Sequence, residues 1–155
     1  MTDKTMPVTG GCLCGAVRFE AADPPTYVGY CHCRMCQKST GHTSAIFVMF
    51  TGEDRTDDAG TLRFTKGEPK YYKSSAWMER AFCPSCGSPL GVRSKKGHRS
   101  VMAGNLDHPE DWPPNEGHSG IESRVPWDHI HDDLPQWRTE DDPDLAVMQK
   151  PTVEP

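Results

Sequence analysis

Seven cysteines are the residues best able to do chemistry in this sequence, and none of them stands alone. Cys12 and Cys14 form a CxC, Cys31, Cys33 and Cys36 a CxCxxC, and Cys83 and Cys86 a CxxC. Thiolates a few residues apart on a tight turn are half-sites for a soft divalent metal, zinc above all, with each sulfur at about 2.3 Å from the ion. The count is odd, and the opening MTDKTMPVTGG lacks the apolar stretch of an export signal, so a disulfide framework is disfavoured and metal ligation accounts for the cysteines better. The CxxC contains Pro84 and precedes Gly87, which suits a knuckle whose backbone amides turn toward the sulfurs. The CxC is flanked by Gly10, Gly11 and Gly15, which permit positive φ. In an extended strand, residues two apart already face one side.

Two pairs and one trio divide most simply into two centres. Cys12, Cys14, Cys83 and Cys86 complete a four-thiolate structural site that ties an N-terminal strand to a hairpin about seventy residues later. Cys31, Cys33 and Cys36 come from six consecutive residues and leave a fourth position for water or a substrate, the usual form of a catalytic zinc. The expected cofactor is thus Zn2+, two per chain, one structural and one with an open position. Two other readings of the trio stay open: a second structural zinc closed by His32 or His42, and a redox disulfide between Cys33 and Cys36. His32 lies between two cysteines, so strand alternation turns its ring away from the metal, and His42 reaches the site only if the segment curls back. The redox pair lacks a surrounding βαβ pattern and is crowded by a third thiol. His98, His108, His118, His129 and His131 read as surface or packing residues, and Tyr71, Tyr72 and Trp77 as core.

The elements that must hold these groups are short. A chain of 155 residues is the size of one domain, and 35 % hydrophobic content with 14 Gly and 14 Pro favours many turns over a helical bundle or a Rossmann architecture. Alternating or β-branched runs predict strands at Ala16–Glu20, Tyr27–Tyr30, Thr43–Phe50, Thr61–Thr65, Glu68–Lys73, Met78–Phe82, Leu90–Arg93 and Arg99–Ala103. Short helical turns are expected at Arg34–Ser39 and near Pro109–Trp112. Beyond Asp107 prolines and acids dominate, yet Trp112, Trp127 and Trp137 call for burial, so this stretch is expected to wrap the β body. The domain is therefore drawn as residues 1–139, with 140–155 as a disordered acidic tail.

Charge is unevenly distributed. Residues 1–105 carry 14 basic and 9 acidic side chains, whereas residues 106–155 carry 3 and 13. Metal-bound thiolates would leave the cysteine-bearing body only mildly positive, too little to predict a nucleic-acid partner. No apolar run approaches the roughly 18 residues of a membrane span, and a soluble, cytoplasmic protein is expected. Nothing in the sequence speaks to oligomeric state.

Three motifs in order, GGCLCGAVRFE (Gly10–Glu20), YCHCRMCQKSTG (Tyr30–Gly41) and FCPSCGSPLGVR (Phe82–Arg93), resemble the glutathione-dependent formaldehyde-activating enzyme family, related to centromere protein V. The stretch IHDDLPQW (Ile130–Trp137) is similar to a family ending. The resemblance implies a mostly β fold, a zinc-stapled antiparallel β-tent, with Cys12, Cys14, Cys83 and Cys86 on a structural zinc and Cys31, Cys33 and Cys36 on a catalytic one. It also implies a carbon-sulfur lyase or thiol-aldehyde adduct synthase whose partners are a small thiol such as glutathione and an aldehyde such as formaldehyde. Arg34 and Lys38 are candidates to meet the carboxylates of glutathione, and His32 and His42 to move protons. A thiolate-rich zinc is a poor Lewis acid, which favours thiol binding at the open position over carbonyl polarisation. The acidic stretch after Asp107 would repel an anionic thiol unless it stays clear of the mouth. The competing reading is a non-catalytic zinc module or glutathione carrier with both zincs structural. A weaker one, chromatin association, would need a basic patch that the body charge does not promise.

Overall fold

The computed structural model describes residues 4–50 and 62–150. Strands dominate, in two sheets. The smaller sheet has the order β1-β2-β5, from Val8–Gly11, Arg18–Ala21 and Leu62–Lys66. The larger runs β11-β10-β3-β4-β9-β8-β7-β6, with β3 Tyr27–Cys31, β4 Ala45–Met49, β6 Lys70–Lys73, β7 Met78–Phe82, β8 Pro89–Ser94, β9 Arg99–Met102, β10 His118–Ser119 and β11 Gln136–Trp137. The eight expected strands are present within a residue or two of their expected bounds; Thr61 lies outside the described residues. Three strands were not foreseen, because β1 is half glycine and β10 and β11 have two residues each, too short for any periodicity to show. β10 lies parallel to β3 with His118 opposite Tyr30 and Ser119 opposite Cys31, and β11 runs parallel to β10.

The core lies between the sheets. Alternation along β1 and β2 sends Val8, Phe19 and Ala21 inward against Val28, Val48, Phe50, Leu62 and Val101, and Leu106 and Trp112 close the group. Phe19 is 1 % exposed and meets Phe64 edge-on at 6.5 Å between ring centroids, so truncating it to alanine would cost about 3–5 kcal/mol. A second small core, Cys12, Val17, Ala81, Cys83 and Leu90, joins the sheets where the four-cysteine group sits.

The segment after Asp107 does wrap the body, through β10 and β11, but not as every residue was expected to. Trp112 is buried, whereas Trp127 is 71 % exposed on a turn that the Arg124 guanidinium closes on the carbonyls of Val125 and Asp128. That turn is completed by polar contacts, so no ring is needed beneath it. Tyr72 is likewise exposed, on β6 at the sheet edge, and Trp77 is exposed in the turn before β7; Tyr71 packs under the Arg93 guanidinium at 3.7 Å. The expected tail is not uniformly unstructured. Thr139–Asp141 forms a 3-10 turn and Pro143–Met148 a helix, α2, which Asp142 caps by accepting from the amides of Asp144 and Leu145 at 2.9 and 3.1 Å. A proline at the first turn and Met148, 5 % exposed, make a short helix viable where acid content alone suggested none. Residues 151–155 of the expected tail lie outside the described residues. Among the described residues no helix is long and apolar enough to cross a membrane.

Candidate metal centres and active site

The structure collects the cysteines into two groups, Cys12 with Cys14, Cys83 and Cys86, and Cys31 with Cys33 and Cys36, each with all its sulfurs within 4.8 Å of one another. In the first group the Cys12–Cys14 and Cys14–Cys83 sulfurs are 3.6 and 3.8 Å apart. A tetrahedral site with sulfur at about 2.3 Å has edges of about 3.8 Å, so the donor set fits one metal ion. Two turns make it. Between β1 and β2 the Gly15 amide bonds to the Cys12 carbonyl at 3.1 Å, Gly15 taking φ 73°, while the Val17 amide reaches the Cys12 sulfur at 3.3 Å. Gly10 and Gly11 keep ordinary strand geometry, so of the three flanking glycines only Gly15 has positive φ. Between β7 and β8 the Gly87 amide bonds to the Cys83 carbonyl at 2.9 Å and Ser88 Oγ lies 3.1 Å from the Cys86 sulfur. That Ser88 contact draws the Cys86 thiol down to about 5, a group ready to bind as thiolate.

The second group forms where β3 runs into a helix, α1 (Arg34–Thr40). Cys31 and Cys33 project to one side of the extended chain, and Cys33 then caps α1, its sulfur accepting from the Cys36 amide at 3.4 Å. Cys36 follows one turn later, which brings three sulfurs together from six residues. Gly120, just after β10, presses on this loop: a Cβ there would lie 2.9 Å from the Cys33 nitrogen, and its φ of 68° suits glycine alone. Gln37, buried, ties α1 down by donating to the carbonyls of His32 and Ser123 at 2.8 and 2.9 Å. Cys33 and Cys36 thiols donate to Cys31 and hold it well below the ordinary thiol value, while the Cys31 sulfur pushes Cys33 up to about 12. An all-sulfur donor set of this kind selects a soft metal.

His32 takes the opposite side of the strand, as alternation requires. Its Nε2 lies 2.9 Å from His118 Nδ1, and His118 Nε2 lies 3.1 and 3.2 Å from the Asp132 carboxylate oxygens. An ionised Asp132 requires the proton on His118 Nε2, so His118 Nδ1 accepts and His32 Nε2 donates. Tyr30 stacks on His118 at 4.4 Å with the planes 3° apart. Burial, then the neighbouring His118 ring, keeps His32 below the ordinary imidazole range.

A cleft of about 690 Å³ opens over Cys33 and is lined by Arg34 and Lys38 of α1, Arg80 of β7, and Glu122 and Gln149 from the C-terminal segment. Arg80 Nη2 stands 3.8 Å from the Cys36 sulfur and its Nη1 donates to Ser39 Oγ at 3.1 Å. Arg34 and Lys38 thus line the cleft, whereas the two histidines do not. His42 is exposed, its Nδ1 engaged locally with the Ser44 carbonyl at 3.2 Å, and His32 is turned to His118; neither stands in the cleft wall. The proton-transfer roles expected of them are therefore corrected. The acidic extension does not stay clear of the mouth either, though the Glu122 carboxylate is occupied by the Thr139 amide at 3.1 Å.

Arg80, His118, Asp132 and Gln149 escaped sequence reasoning. Arg80 precedes Cys83 by three residues, so on a strand it faces away from the first cysteine group and toward the second, a signal usable only once β7 is placed beside α1. Gln149 has no local signal at all. It lies 118 residues after Cys31, on whose sulfur its Nε2 closes at 3.6 Å.

The sequence profile of the glutathione-dependent formaldehyde-activating enzymes matches residues 7–119. The chain belongs to this family. A Halomonas elongata protein provisionally named as a glutathione-dependent formaldehyde-activating enzyme is 27 % identical over 128 residues, 81 % of this chain and 82 % of that one. An uncharacterized lyase of Schizosaccharomyces pombe is 30 % identical over 81 residues, 52 % of this chain and 53 % of its own. A crystal structure of a Rhodobacter sphaeroides protein superposes with a TM-score of 0.51 at 21 % identity, covering 71 % of this chain and 98 % of that one, which supports the fold. The family membership makes this chain a member of an enzyme family that activates formaldehyde through glutathione, with a lyase among its relatives.

Proposed function

We propose that the protein is a zinc-dependent carbon-sulfur lyase or thiol-aldehyde adduct synthase that joins a small anionic thiol such as glutathione to an aldehyde, and cleaves the adduct in reverse. The observation that carries this reading is the juxtaposition of three buried cysteines with a cleft bearing Arg34, Lys38 and Arg80. Cys12, Cys14, Cys83 and Cys86 would hold a structural zinc, and Cys31, Cys33 and Cys36 a second zinc. Zinc bound by the trio supplies positive charge that favours the thiolate form of an incoming thiol at neutral pH.

The chain's own residues do the rest. The three cations offer forked and point-charge partners for the two carboxylates of glutathione, bringing its sulfur to the floor of the cleft where Cys33 lies. Holding thiol and aldehyde side by side replaces a bimolecular encounter with an intramolecular one. The thiol proton leaves to water in the open cleft. Seven reduced cysteines in metal-binding groups suit a reducing compartment, and we place the protein in the cytoplasm.

Zinc content per chain, measured together with the rate of glutathione plus formaldehyde over the spontaneous reaction, tests the reading. Two zincs and an acceleration that falls at least a hundredfold in Cys33→Ala are expected. Two zincs without acceleration would favour a non-catalytic carrier instead.

A further inference from the structure

The thiol trio faces two cavities, not one. Cys33 stands in the wall of the open cleft, whereas Cys31 and Cys36 stand in the wall of a second chamber of about 260 Å³. Arg80 and Gln149 belong to both walls and mark the junction. Tyr27, Phe47, Met49 and Met78 of the large sheet form the chamber's sides, and α2 supplies its roof through Leu145 and Met148. Its two carboxylates are occupied, Asp142 in capping α2 and Asp144 by the Lys96 ammonium. The chamber is lined mostly by hydrocarbon, with His98 and the hydroxyl-bearing Ser94, Ser100 and Ser119 also in its wall and Arg80 at the neck, an environment for a largely apolar group rather than for a second carboxylate.

Formaldehyde has no substituent to place there. A cavity of about 150 Å³ is enough to take up a benzene ring, so this chamber is sized for a chain of roughly six carbons. Its roof also comes from residues beyond 7–119, the part of the chain that the family profile matches. We propose that the aldehyde this enzyme uses is an aliphatic one of intermediate length, its hydrocarbon chain in the chamber under α2 while the thiol lies in the cationic cleft. The inference rests on the thiol-aldehyde reading above and names its second substrate. In the reaction the thiol sulfur forms a bond to the carbonyl carbon, the carbonyl π bond breaks, and the oxygen takes up one proton for the one the thiol gives up. No oxidant is needed, and the product is a hydroxyalkyl thioether. Gln149 Oε1, buried at the junction and without a hydrogen-bond partner among the described residues, is the acceptor for the new hydroxyl.

The test uses the zinc-loaded full chain with glutathione and a series from formaldehyde through propanal and hexanal to decanal, read as kcat/KM over background. In parallel, hexanamide, an unreactive mimic, is titrated by calorimetry into the wild type and into Leu145→Trp, which fills the chamber. Val92→Phe, from another wall of the chamber, serves if Leu145→Trp does not fold. The expected result is a gain of roughly threefold to fourfold per methylene, the equivalent of about 0.8 kcal/mol, up to hexanal and a fall at decanal. Filling the chamber is expected to lower the hexanal-to-formaldehyde ratio at least thirtyfold and to abolish hexanamide binding. Acceleration of formaldehyde alone, with hexanamide unbound, overturns the inference and leaves the thiol-aldehyde reading intact. Hexanamide bound with no aldehyde accelerated places the failure in that reading and overturns the aldehyde assignment with it.

Discussion

The two cysteine groups have the same chemistry and opposite architecture. The four-cysteine group draws on turns about seventy residues apart, holds Cys14 and Cys86 at the surface, and borders neither of the cavities that meet at the trio. The trio is contiguous in sequence and fully buried, with Cys31, Cys33 and Cys36 at 4, 6 and 2 % exposure, yet it faces cavities on both sides. A group that offers four donors at the surface suits the structural role proposed for it. The buried trio offers three donors, with an arginine and a glutamine against its sulfurs, and on the function proposed above its fourth position would admit a ligand.

The largest expected effect breaks this contrast most directly. Cys83→Ser should remove one zinc equivalent and most of the tertiary structure, because the group anchors the small core of Val17, Ala81 and Leu90 where the sheets meet. A loss of this kind is comparable with the whole stability of a domain, on the order of 5 kcal/mol or more. Cys33→Ser should remove one equivalent with the near-ultraviolet circular dichroism preserved, and equal damage from both would end the distinction.

A middle-sized effect sharpens it. Arg80→Met is expected to raise KM for glutathione about tenfold, the scale of one charge-assisted hydrogen bond of about 1.5 kcal/mol, while leaving KM for the uncharged 2-mercaptoethanol unaltered. Arg80→Lys should recover part of the loss. A uniform loss with both thiols would assign Arg80 to holding Cys36 and Ser39 rather than to the substrate.

The smallest concerns the structural side. The Arg18 guanidinium holds Asp107 below the usual carboxylate range, with Thr9 Oγ1 also donating at 2.6 Å, and so pins the loop after β9 to β1 and β2. Both side chains are about a third exposed, at 35 and 34 %, so Asp107→Asn should cost only about 0.5–1 kcal/mol in urea unfolding at pH 7. A depressed carboxyl stabilises above its unfolded value of about 3.9 and loses that contribution as pH falls through the folded one. The gap between wild type and Asp107→Asn should therefore start to narrow near about pH 4 and close only once the pH is below the depressed folded value, and a gap that survives at the acid end of that range would show a packing effect instead of a charge effect.

Much of this was legible in the residues. Cysteine spacing sorted seven sulfurs into the two groups found, because metal half-sites are local devices whose geometry is set within a few residues. Alternation in CHC correctly turned His32 from the trio, and β-branched runs located eight strands. The misplaced features each depended on contacts between distant segments. Nothing near His118 or Asp132 marks them as partners of His32, since parallel pairing of two-residue β10 with β3 creates the contact. Exposure of Trp127 and Tyr72 followed from a self-closing turn and an uncovered sheet edge, neither of which composition can reveal.

By itself, the sequence determined the mostly β class and the sorting of the cysteines into two groups able to hold a metal, all of which follow from residue type and short-range geometry. Only the tertiary structure decided what surrounds the trio: that Arg80 arrives from β7, that α2 folds back to set Gln149 on Cys31, and that a second, apolar chamber lies beneath it. Those placements are long-range because a cavity is the space left between elements, and no stretch of chain encodes it alone.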